Sequence, residues 1–136
     1  MANWNNFVDA VEKHFSFLKD ECGFSIVSAK EPFVVFGSAD IRVNVYCDVS
    51  RHVELDLGIE RVADVGKRMP FFRIHEFRRI LGIQLQSGTA PFIETEEQMA
   101  VELEKLACDL KQYCSEVLHG NLSVFEQIER RRIEGI

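Results

Sequence analysis

The stretches Ile41-Arg42-Val43-Asn44-Val45-Tyr46 and Val53-Glu54-Leu55-Asp56-Leu57-Gly58-Ile59 decide the fold, because Ile41, Val43, Val45, Val53, Leu55, Leu57 and Ile59 all fall at odd numbers. Alternation of apolar and polar side chains is the signature of a strand with one buried face. Two such strands joined as a hairpin share a buried face only if the numbers of paired residues sum to an even value. A two-residue turn is thereby excluded, and a connection of three or five residues around Val49 and Ser50 is required. With three connecting residues, Arg42 would stand opposite Asp56. Either way the polar face carries Arg42, Asn44, Tyr46, His52, Glu54 and Asp56.

Upstream of this pair, β-rich stretches at about 24–28 and 33–37 are separated by Ala29-Lys30-Glu31-Pro32 and followed by the turn Gly37-Ser38-Ala39-Asp40. Before them, Phe7, Val8, Val11, Phe15 and Leu18 recur at helical offsets, which predicts an amphipathic helix over 5–20 with Asn5 as its cap and Gly23 beyond its end. His14 borders the apolar stripe and reads as a boundary residue. Downstream, 61–70 reads as a connection, and Phe71, Ile74, Phe77 and Leu81 predict a short helix over 71–81. Ile83 and Leu85 allow one more strand in 83–93, against which Gly88 and Pro91 speak. Thr95 and Gln98 match a capping box. After them Met99, Leu103, Leu106, Leu110, Tyr113 and Val117 step by alternating fours and threes, which predicts a long helix over 95–118 that covers the sheet. Gly120 stops it, and a last helix over 123–133 opens with a second match, Ser123 to Glu126.

The chain has 136 residues with 46% hydrophobic and 28% charged, the composition of one globular domain over 1–136. No apolar run approaches the roughly 18 residues of a spanning helix. Met1-Ala2-Asn3-Trp4-Asn5-Asn6 lacks the layout of a secretory signal, so a cytoplasmic protein is expected. Cys22, Cys47, Cys108 and Cys114 form no Cys-x-x-Cys and read as free structural thiols. The net charge of −6 divides into −5 over 1–60, +4 over 61–93 and −5 over 94–136. Internal compensation between a basic middle and acidic flanks is the simplest meaning of that division. An acidic chain with a small basic segment containing Arg68, Arg73, Arg78 and Arg79 is a poor nucleic-acid binder.

Several chemistries are absent from the sequence. There is no phosphate-binding Gly-x-x-x-x-Gly-Lys loop and no Gly-x-Gly-x-x-Gly. His14, His52, His75 and His119 do not show zinc spacing, and no Gly-x-Ser-x-Gly elbow occurs, so neither a cofactor nor a metal is expected. Glu54 and Asp56 share one strand face roughly 6.5–7 Å apart, near the separation of paired glycosidase carboxylates, but alternating acids on a strand are ordinary. An enzyme would therefore need a site assembled by tertiary contacts, with His52 or His75 meeting carboxylates or a thiol.

Phe17-Leu18-Lys19-Asp20-Glu21-Cys22-Gly23-Phe24, Val34-Val35-Phe36, Ile41-Arg42-Val43-Asn44-Val45-Tyr46-Cys47-Asp48 and Val117-Leu118-His119-Gly120-Asn121 together resemble a group of small bacterial α+β proteins. Some of these are immunity proteins found beside polymorphic toxins. The resemblance spans most of the chain, rests on apolar patterns and carries over no site residue. It implies a protein that works by binding a toxin. The length, acidity and α/β content are also similar to those of type III secretion chaperones, which act as dimers on secreted effectors, but four consecutive strands depart from their order.

The expected fold is α+β: an antiparallel sheet of four to five strands covered on one face by the N-terminal helix and the long late helix, in the order α-β-β-β-β-α-(β)-α-α. The expected function is non-enzymatic binding of another protein. The candidate contact is the polar face of Arg42, Tyr46, His52, Glu54 and Asp56, turned away from the helices. No membrane or nucleic-acid partner is expected, and a homodimer is compatible with the sequence.

Overall fold

The structure, a computed structural model, describes residues 7–30, 33–48, 54–64, 72–81, 95–113 and 115–134. The fold is α+β. Its helices are α1 (Phe7–His14), α2 (Ser16–Asp20), α3 (Ile74–Leu81), α4 (Glu96–Tyr113), α5 (Ser115–Leu118) and α6 (Ser123–Glu134). The strands β1 (Ser25–Lys30), β2 (Phe33–Gly37), β3 (Ile41–Asp48), β4 (Glu54–Arg61) and β5 (Phe72–Arg73) make one antiparallel meander in sequence order.

Residues expected to form one N-terminal helix form two, broken at Phe15, whose φ of −105° and ψ of 18° leave the helical region. Positions 15 and 17 of an unbroken helix point to nearly opposite sides. The break lets Phe15 stack on Phe17 and meet Phe36 of β2 in a tilted contact, both at 6.2 Å between centroids, so that Phe15 and Phe17 are both buried. Asn5 lies outside the described residues. The start of α4 is the expected capping box: Gln98 N–H donates to Thr95 Oγ1 at 3.1 Å and Thr95 N–H to Gln98 Oε1 at 3.2 Å. Gly120 ends the α4–α5 run with a positive φ of 99°, and its geometry is a Schellman closure, with Gly120 N–H on Val117 O and Asn121 N–H on Glu116 O. The α6 start differs from the expected Ser123–Glu126 box. Asn121 Oδ1 accepts both the N–H and the Oγ–H of Ser123, so a residue two positions earlier supplies the cap.

The β3–β4 register settles the hairpin. Tyr46 pairs with Asp56, Arg42 with Glu60 and Asp48 with Glu54, so paired numbers have the expected even sum. Of the two connection lengths expected, the pairing selects five residues, 49–53, and Arg42 therefore does not oppose Asp56. Both lengths satisfy the parity condition, and only the long pairing extends β3 to Asp48. The fifth strand comes at Phe72–Arg73, where a helix start was expected, because Ile59 and Gly58 of β4 pair with those two residues. The residues expected to hold an optional strand at 83–93 lie outside the described residues.

Odd-numbered Ile41, Val43, Val45, Cys47, Leu57 and Ile59 are all buried on one face, with Val34 and Phe36 of β2. Against them pack Phe7, Val11 and Leu18 from the first helices and Met99, Leu103, Leu106 and Leu110 from α4. Phe72 lies opposite Ile59 and so faces the same side. Its ring meets Phe125 of α6 edge-on at 4.7 Å, and Phe125 meets Phe77 of α3 at 5.7 Å. The helices α3 and α6 thereby continue the apolar layer at the β5 end. Charge compensation is concrete there: Arg61 pairs with Glu129 at 2.9 Å, and Arg132 with Glu76 through two contacts of 2.7 and 2.8 Å. Basic and acidic segments of the chain neutralise each other in both directions.

Candidate functional site

The outer face of the sheet is set by the even-numbered residues of β3 and β4 and by the residues they pair with. Phe33 pairs with Tyr46, and Tyr46 with Asp56, so these side chains form one row across β2, β3 and β4. Next to it run Val35, Asn44, Gly58 and Arg73, and then Gly37, Arg42 and Glu60. At the edge, β1 carries a bulge between Ile26 and Ser28. The bulge turns Val27 toward Gly37, where an added Cβ would come within 2.6 Å of Val27 Cγ2. The missing side chain of Gly37 is what makes room for Val27 on this face.

The first row carries aromatic and ionic chemistry in sequence. Phe33, 44% exposed, stacks on Tyr46 with centroids 5.3 Å apart and planes at 22°. Tyr46 OH donates to Asp56 Oδ2 at 3.2 Å, and the Leu57 N–H donates to Asp56 Oδ1 at 2.8 Å, which fixes the carboxylate plane. Arg73 Nε approaches Asp56 Oδ2 at 3.8 Å while keeping its side chain 57% exposed. An exposed pair at that separation is loosely held. Phe33 and Val27 are both exposed on this side of the sheet, Phe33 at one end of β2 and Val27 beside Gly37 at the other.

Of the residues expected from the sequence, Tyr46 and Asp56 come together. Arg42 is on the same face but pairs with Gly37 and Glu60, about 13 Å along the strand from Tyr46 at the usual rise per residue. Glu54 holds the register position opposite Asp48 at the hairpin end, and its side chain lies outside the described part. His52 lies outside the described residues. Phe33, Val27 and Arg73 are the residues that sequence reading missed. Phe33 was legible in principle, since the alternation of buried Val34 and Phe36 assigns it to the outer side; Arg73 was not, since its place depends on a long-range pairing of two residues.

The face is not uniformly wet, as a half-exposed sheet would be. Asn44 is 3% exposed, with its Nδ2 donating to Gly58 O at 3.4 Å, because its short side chain lies down on the bare glycine backbone. Glu60 is buried as well. Elsewhere, Cys22, Cys47 and Cys108 take part in no disulfide. Burial pushes the Cys22 thiol up, neighbouring Glu21 adds to the rise and Lys111 opposes it, so this sulfur is held protonated. Cys114 lies outside the described residues. Among the described residues, no group of three or more His, Cys, Asp or Glu side chains is placed to hold a metal ion, and no helix is long and apolar enough to cross a membrane.

No family profile matches the chain, and no curated protein or solved structure is significantly similar to it.

Proposed function

We propose that the protein works by binding another protein through the outer sheet face, as an immunity protein does when it neutralises a toxin. The observation that carries this reading is the Phe33–Tyr46 stack, an exposed ring set on a half-buried one on the sheet beside an oriented carboxylate. Tyr and Phe are enriched at interface centres because they bury large area at small conformational cost. A row built on strands rather than loops is pre-organised, so little ordering entropy is lost on contact. The acidity of the chain, −6 overall, favours encounter with a basic partner. The resemblance of the apolar pattern to immunity proteins supports the same reading, and the cytoplasm is the compartment in which such a protein would meet its toxin.

Co-expression with the product of the adjacent gene, followed by affinity capture, tests the proposal. The expected result is a stable complex that Phe33→Glu abolishes while the variant remains folded by circular dichroism. A neighbour without toxic activity, together with no captured protein, would sink the immunity version.

A further inference from the structure

We draw no further inference here: the strongest candidate, the strip along β2 on the outer sheet face from exposed Phe33 past half-buried Val35 to exposed Val27 beside Gly37, belongs to the face already described, and nothing in the structure shows what covers it.

Discussion

The two faces of the sheet use the same residue types to different ends. On the inner side, at the β5 end, Arg61 and Arg132 flank the Phe72 ring, Phe125 closes on it, and Glu129 and Glu76 neutralise the two guanidinium groups. Each group there has its partner within the chain. On the outer side Phe33, Tyr46, Asp56 and Arg73 form a row in which Phe33 is exposed, Tyr46 is half-buried and the Arg73–Asp56 pair is loose. Aromatic and charged residues that saturate one another serve stability. The same residue types, with one ring exposed and one ion pair loose on a strand surface, are those the proposed interface would use.

Substitutions separate the two roles, and the largest effect belongs to the inner side. Phe125→Ala removes a fully buried ring that touches both Phe72 and Phe77. It should cost about 3–5 kcal/mol in urea unfolding, and a loss under about 1 kcal/mol would mean that α6 is not part of the cooperative core. Arg132→Ala comes next. Its pair with Glu76 is largely shielded, with side chains 27% and 17% exposed, and the change takes two charged donors from Glu76, which still accepts the Arg73 N–H at 3.1 Å. A loss of about 2 kcal/mol is expected, and restoration of stability by Arg132→Lys would show that charge alone, not the fork over Phe72, holds α6.

The outer row should respond in the opposite sense. Phe33→Ala sacrifices an aromatic contact worth about 1 kcal/mol, with an expected loss of partner affinity of at least about tenfold. Arg73→Ala should change stability by no more than about 0.5 kcal/mol, since its pair with Asp56 is long and exposed. A thermal melt that showed Arg73→Ala as damaging as Arg132→Ala would erase the distinction between a saturated side and a loosely held one.

Much of the fold was legible because it depends on local periodicity. The alternation of 41–48 and 54–59 fixed both strands and their buried faces, and Thr95 with Gln98 fixed the start of the long helix. What local pattern could not decide was register. Connections of three and five residues satisfy the same parity, so Tyr46 rather than Arg42 stands opposite Asp56. That single shift breaks up the expected cluster, leaving Arg42 beside Glu60 and bringing Phe33 into the row through Tyr46. The break at Phe15 was invisible for another reason. Helical offsets reward Phe15 and Leu18, and only the sheet, through Phe36, provides a place that makes burial of both Phe15 and Phe17 favourable. Arg73 enters the row through pairing of β5 with β4, a contact between segments too short to leave a pattern of their own.

The most direct test of the outer row is calorimetric titration of the captured partner into the unaltered chain and into two single variants, Phe33→Ala on the outer face and Glu104→Ala on the exposed surface of α4. The outer-face account requires an affinity loss of at least about tenfold for Phe33→Ala and a change of less than about twofold for Glu104→Ala. The reverse pattern, with Glu104→Ala weakening the complex and Phe33→Ala leaving it unchanged, would contradict the account and move the interface to the helical side.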